Sequence, residues 1–290
     1  MADSVEMQDI RGLDIDKAVK GFALIDYTFK NDCTTSTTSA DHIRWYQETS
    51  ADLTTSAPAE NANISPLSTF PVLEPTWTRQ TSYVKKYANR SFISMEDMKS
   101  SDIDVIARTL LRLTRSVQKQ VDVRIYDVWT EASVSGTPNP TLIQTFAATQ
   151  CWDTTSGSIV YDLMHAKKLL SDYGYNTEGN TLIINQVEYR DIVTWLIDYK
   201  GSSIPNFSSE KISSGVVMNL LGFNLKVSPN AVTDYALIVG PQACTWKTHT
   251  PITSIAIQNP GIGTDFRVWE LGEAILTDPK DVVLITNTTT

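Results

Sequence analysis

The sequence predicts an α+β fold. Three observations carry this expectation. A single amphipathic helix of unusual length occupies residues 101–131. Short apolar or β-branched runs recur through the second half of the chain. Helices and strands also follow one another without the βαβα rhythm of a parallel sheet with crossover helices. The chain has 290 residues, a hydrophobic share of 41% and a charged share of 20%. That is enough to bury a core as one large domain or two modest ones.

Residues 1–20 are polar and charged, without the apolar stretch of a secretory signal, and read as an extended arm. Residues 21–32 begin Gly-Phe-Ala-Leu-Ile-Asp-Tyr-Thr-Phe, a run of β-formers. A Ser/Thr/Ala-rich stretch follows from Cys33 to Ser65, interrupted by Ile43-Arg44-Trp45-Tyr46. So long a polar segment is uncommon inside a globule. It reads either as a surface insertion or as an excursion that packs on another subunit. Phe70-Pro71-Val72-Leu73 follows, and then Trp77 to Phe92, where Tyr83, Val84, Tyr87 and Phe92 suit strands.

The long helix has Ser101 as its cap, with Asp104 three positions on in capping-box fashion. Ile103, Ile106, Leu110, Leu113, Val117, Val121, Ile125 and Val128 form one apolar stripe. At 1.5 Å per residue the helix is about 46 Å long. Arg108, Arg112, Arg115, Lys119 and Arg124 lie off the stripe and read as a solvated face.

Ser-Gly-Thr-Pro-Asn-Pro at 135–140 is a turn cluster, and Leu142 to Ala148 a strand. A second helix covers 156–173, with Ile159, Leu163, Ala166, Leu170 and Tyr173 on one face and Gly174 as its stop. Thr181-Leu-Ile-Ile-Asn185 is a short buried strand. A third helix runs from Glu188 to Lys200, turning Ile192, Trp195, Leu196 and Tyr199 inward. Val216 to Gly222 reads as a short helix or turn. Strands are expected at Phe223–Val227, Tyr235–Val239, Ile252–Ile257, Asp265–Ala274 and Val282–Ile285.

The chemistry-bearing patterns are sparse. Net charge is -9, whereas a sequence-reading nucleic-acid protein carries a basic face. The three cysteines, Cys33, Cys151 and Cys244, have no zinc spacing and are expected as reduced thiols. His42, His165 and His249 include no pair at i, i+4, so no HExxH site is expected. There is no GxSxG and no GxxxxGK[ST], and Gly261-Ile-Gly263 reads as a plain loop. No stretch reaches the eighteen apolar residues of a membrane span. Glu131, Asp153, Asp191, Asp198, Glu270 and Glu273 read as solvating or capping carboxylates. The sequence thus implies no enzyme, no catalytic or metal-ligating residues, no cofactor and no membrane partner. Trp129, Trp195 and Trp269 fall on apolar faces and read as core. Trp45, Trp77 and Trp246 fall in polar stretches. With Tyr46 they are the candidate subunit-interface residues, because aromatic anchors dominate interface energetics.

The order of segments resembles the major capsid protein of tailed bacteriophages and archaeal tailed viruses, the Hong Kong 97 fold. Residues 1–20 resemble that family's N-terminal arm, and 21–92 its extended loop with base strands. Ser101 to Glu131 resembles its spine helix. Thr181-Leu-Ile-Ile-Asn-Gln186 and the helix to Lys200 resemble the strand–helix unit of its axial domain. Leu221-Gly-Phe-Asn-Leu-Lys-Val-Ser228 resembles its glycine–strand element, and Asp278-Pro-Lys-Asp-Val-Val-Leu-Ile285 its closing strand. The resemblance implies a peripheral domain at 93–150 and 260–290, and an axial domain at 151–259. It also implies self-assembly as hexamers and pentamers into an icosahedral shell in the virion. That shell would assemble in the host cytoplasm and enclose double-stranded DNA without sequence-specific binding. Portal, scaffolding and decoration proteins are the implied partners. The short N-terminal region leaves no room for a built-in scaffolding domain, so scaffolding would be separate or absent. Some relatives cross-link through a lysine of the extended loop; Lys30, Lys85 and Lys86 are the lysines of that region here, and nothing around them specifies the reaction. An encapsulin-like compartment holding cargo enzymes shares the same resemblance. The rivals outside it are a cytosolic enzyme with a site assembled from scattered residues and a phage accessory shell or tail protein.

Overall fold

The computed structural model describes residue 19 and residues 27–48, 65–66, 77–100, 105–132, 136–196 and 219–290. The arm apart from Val19, the run Gly21 to Asp26, Phe70 to Leu73, the Ser101 cap with Asp104, and the end of the third helix from Ile197 all lie outside the described residues.

Strands β1 (Thr34–Thr37), β2 (His42–Glu48), β3 (Trp77–Tyr83) and β4 (Lys85–Ser94) come first. Helices α1 (Met95–Ser100) and α2 (Val105–Trp129) follow, then β5 (Gln144–Ala147) and α3 (Ile159–Asp172). The chain continues through β6 (Thr181–Ile184), α4 (Gln186–Thr194), β7 (Asn219–Leu220), β8 (Phe223–Val227) and β9 (Tyr235–Val239). It ends with β10 (Cys244–Asn259), β11 (Gly263–Leu276) and β12 (Val282–Thr286).

Among the described residues these strands form three sheets. The order in the first is β1-β10-β11-β4, and in the second β5-β12-β9-β6-β8-β7; the third is the antiparallel ribbon β2-β3. The six-stranded sheet is mixed: β5 and β12 run parallel, as do β6 and β8, while β9 is antiparallel to both β12 and β6.

The apolar runs explain why this sheet is central. Successive strand residues point to opposite faces, so a strand covered on both sides reads as a continuous apolar run. Ile183, Leu237, Val239, Val282 and Leu284 pack on one face with Val121, Ile125, Tyr126 and Trp129 of α2. Their alternates Leu182, Ile184, Ala236, Ile238, Val283 and Ile285 pack on the other with Trp152 and with Ile159, Leu163 and Leu170 of α3. Each buried Val, Leu or Ile among them contributes roughly 1.5–3 kcal/mol by leaving water.

Helix α2 is the beam between the sheets. Its C-terminal half meets the six-stranded sheet. In its N-terminal half Leu110, Leu113 and Val117 pack on Ile93 of β4, Ile252 of β10, and Phe266 and Val268 of β11. Its 25 residues span about 37 Å.

Several expectations are corrected. Residues 27–29 are irregular and Lys30–Asp32 is a 3-10 turn rather than a strand, because Asp122 captures the backbone amides of residues 28–30 that a ladder would use. The third helix begins at Gln186, two residues before Glu188, because Asn185 caps it by accepting the Val187 amide at 3.3 Å. The boundary at 259/260 does not separate the sheets. Strand β12 lies between β5 and β9 of the six-stranded sheet, and the β10–β11 hairpin crosses the boundary within the four-stranded one. The cause is non-local pairing, which a linear reading does not reveal.

Candidate functional site

Buried charged and polar side chains gather where outlying segments join the body. The first is residues 27–33. Asp122 of α2, 2% exposed, accepts the backbone amides of Thr28 (2.9 Å), Phe29 (3.1 Å) and Lys30 (3.4 Å). Burial pushes its carboxyl above the usual carboxylate range, against the pull of those amides and of Lys30. Glu270 of β11 is fully buried; it receives Lys30 Nζ at 2.5 Å and the Tyr27 hydroxyl. Burial and then the Glu270 charge push the Tyr27 phenol far up, so it remains a donor. Asp32 pairs with Lys226 of β8 at 2.7 Å. The ring of Phe29 stacks 6.0 Å from Tyr126 and stands edge-on 5.7 Å from Trp129. The segment is therefore bolted at once to α2, β11 and β8.

A second buried carboxylate follows three residues on. Glu273, fully buried, accepts from Nε (3.0 Å) and Nη2 of Arg124. Arg124 is thus not part of a solvated face, and Glu270 and Glu273 are not solvated. The two acids point inward from a strand whose faces are both covered, so each requires a cation.

The second join is the β2–β3 ribbon, closed by pairs from His42–Tyr83 to Glu48–Trp77. Ile43 and Gln47 of β2 are buried, and Trp45 between them is half-buried. Trp45 Nε1 (3.0 Å) and Gln47 Nε2 (3.2 Å) both donate to the carbonyl of Leu276 at the end of β11. Tyr46 points the other way, 64% exposed, opposite Arg79. Trp77 opens β3, and its side chain lies outside the described residues. Trp246 does not belong with this group. It is fully buried in the core among Cys33, Cys244, Ala274 and Leu276, with Lys30 Nζ 5.3 Å from its ring centre. It is a core residue, not a subunit contact. Its polar neighbours Thr245 and Lys247 misled because they occupy the other face of the strand.

Among the described residues no three His, Cys, Asp or Glu side chains gather to hold a metal, and no helix is long and apolar enough to cross a membrane. Cys33, Cys151 and Cys244 are free thiols. A hydrogen bond with Cys244 and then burial push the Cys33 thiol far up, which suppresses its thiolate.

A family model described as phage capsid protein matches residues 78–283. The chain belongs to the phage capsid protein family. Solved structures agree on the fold. The capsid protein shares 10% identity and a TM-score of 0.63 with the virus-like particle from Pyrococcus furiosus, over 94% of this chain and 98% of that one. For the capsid of cyanophage P-SCSP1u the values are 12% and 0.65, over 90% and 88%. For Mycobacterium phage Che8 they are 14% and 0.61, over 93% and 92%. No curated protein matches it. The fold is the Hong Kong 97 capsid fold, and the capsid protein is structural rather than enzymatic.

Sequence reading missed the Tyr27–Lys30–Asp122–Glu270 cluster of this capsid protein altogether. Its members are up to 243 residues apart. The one available signal was a pair of glutamates inside an otherwise apolar strand, Trp-Glu-Leu-Gly-Glu-Ala at 269–274.

Proposed function

We propose that this capsid protein is the wall subunit of an icosahedral shell, packing as hexamers and pentamers and enclosing double-stranded DNA in the virion after assembly in the host cytoplasm. The observation that carries this reading is the family match over residues 78–283, with the fold shared over most of the length of capsid chains. In it, α2 with the four-stranded sheet forms the peripheral unit, and the six-stranded sheet with α3 and α4 the axial unit. Residues 27–33 anchor the arm, and the β2–β3 ribbon is the base of the extended loop. The exposed Tyr46, with Trp77, contacts neighbouring subunits, while Trp45 faces the body and holds the ribbon to Leu276. A wall subunit needs such roots: load on an outlying segment passes through Lys30–Glu270 into β11 and through Asp122 into the beam helix. Portal, scaffolding and decoration proteins are its further partners.

Negative-stain microscopy of the protein expressed alone, with and without salt, tests this. Closed shells or five- and six-membered rings are the expected result. A chain that stays a monomer at every concentration and salt, and whose first third is compact and binds a small ligand, would refute it. An encapsulin-like compartment is the second reading, favoured by the similarity to a virus-like particle; protein cargo instead of nucleic acid in the purified shells would select it.

A further inference from the structure

The exposed face of α2 carries charge of one sign. Arg108, Arg112, Arg115 and Lys119 are all exposed. Their spacing of four, three and four places them in one row, since residues three and four apart are neighbours on a helix. At 1.5 Å per residue the row is about 16 Å long. No Asp or Glu occurs between Val105 and Val121, in a chain with 33 acidic and 24 basic residues. A solvated helix face ordinarily intersperses the two signs, and like charges at i, i+4 repel. The row therefore costs the isolated helix something, and a bound polyanion would remove that cost.

The surroundings suit such a ligand. A hollow of about 250 Å³ lies beside the row, with Arg115, Lys119, Thr28, Ser228 and Asn230 among its walls. Asp122 also borders it, but both its oxygens are taken by the amides of residues 28–30.

We propose that this row is a sequence-independent binding site for the phosphate backbone of double-stranded DNA. This deepens, and rests on, the reading of the chain as a wall around DNA: it makes the α2 row the face that meets the packaged duplex. Arginine and lysine heads contacting phosphate oxygens fix position without reading bases. The overall charge of -9 then confines attraction to one strip, so the wall touches DNA without being coated by it.

The test uses the 290-residue chain, held as unassembled subunits, and a fluorescent duplex of mixed sequence about 30 base pairs long, a rigid rod at that length. Binding is followed by anisotropy between about 50 and about 200 mM salt. Four neutralised phosphates give a slope of log K against log salt near −3.6, roughly a 100-fold loss over that range. Arg112→Gln with Arg115→Gln is expected to reduce the slope by about two. Lys99→Gln with Lys168→Gln, which makes the same change in charge at exposed positions off the row, is expected to leave it unaltered. Absence of binding at the lowest salt, an equal loss in the control pair, or displacement of DNA by polyglutamate at matched charge would each overturn the proposal, the last in favour of an acidic polypeptide. Microscopy of the same variants separates the two ideas. Shells that form from a chain unable to bind DNA end this inference alone, whereas DNA binding by a chain that stays a compact, ligand-binding monomer ends the shell reading.

Discussion

The indole of Trp246 lies against the α-carbon of Gly272: its Cζ2 is 2.5 Å from where a β-carbon on that glycine would stand, and the Lys247 carbonyl oxygen is 2.9 Å from the same point. Trp246 pairs with Ala274 and Gly272 with Thr248, so the two are diagonal neighbours across β10 and β11. A methyl group there meets both a rigid ring and backbone. Gly272→Ala is expected to lower stability by about 1–3 kcal/mol through overpacking. Trp246→Ala, which opens a cavity instead, is expected to cost about 3–5 kcal/mol. Denaturant unfolding of the unassembled chain measures both. A Gly272→Ala variant as stable as the parent would show that the sheet can shift to admit the methyl.

Lys30 is what permits Glu270 to be fully buried. Lys30→Met leaves that carboxylate with the Tyr27 hydroxyl as its partner among the described residues. Breaking one side of a buried pair costs about 3–5 kcal/mol. Replacing both Lys30 and Glu270 by Met is expected to recover most of the loss, because apolar groups of like volume substitute well for a buried pair. Amide exchange at Thr28, Phe29 and Lys30 gives a local readout, since these amides donate to Asp122. Faster exchange in Lys30→Met shows that the bolt has loosened; unchanged exchange with unchanged stability would remove its assigned role.

Helix α2 and the strands around Leu182, Leu237 and Val283 were legible because burial follows a fixed period: one stripe on a helix, or a solid apolar run in a doubly covered sheet. Pairing was not legible. Nothing local in Val282–Thr286 states that it runs beside Tyr235–Val239, on the other side of the 259/260 boundary. Trp246 failed because the polarity of strand neighbours reports the opposite face. The better signal was Cys244 two residues away, on the same face and equally buried. Of the interface candidates, Trp45 and Tyr46 share a strand but face opposite ways. The sequence therefore located the ribbon without saying which of the two is turned to the body.

The two-residue turn between β7 and β8 places Leu221 at φ 54° and Gly222 at φ 85°. Positive φ at both central positions is the twist-matched hairpin turn, for which Asn-Gly is the favoured pair. Glycine adopts it freely, whereas a leucine there costs roughly 1–2 kcal/mol. Asn219 supports the turn by accepting the Gly222 amide at 3.1 Å. Leu221→Asn is expected to raise stability by about 1 kcal/mol in the unassembled chain, since the leucine is 37% exposed and little packing is lost. A loss of stability instead would mean that the side chain contributes more packing than its exposure indicates.

Asp281 provides the clearest pH dependence. It is 2% exposed, and its carboxylate accepts the Gln242 amide at 3.2 Å. Burial pushes its pKa up to about 7, with Asp278 adding to the shift against the pull of that amide. An unfolded aspartic acid releases its proton near pH 4. Between about pH 4 and about pH 7 the folded chain therefore holds a proton that the unfolded chain has lost, and stability falls as pH rises, by at most about 1.4 kcal/mol per pH unit. The contribution is complete below the unfolded pKa and gone above the folded one. Asp281→Asn keeps the shape and the acceptor oxygen but cannot ionise. Its stability is expected to decline less steeply than the parent's between pH 5 and pH 7, and to equal or exceed the parent's at about pH 8. Other acids with raised values, Asp122 and Glu188 among them, still titrate in both proteins, so the difference between the two curves isolates Asp281. Parallel curves across that range would show that the carboxyl ionises in the folded chain as it does in water.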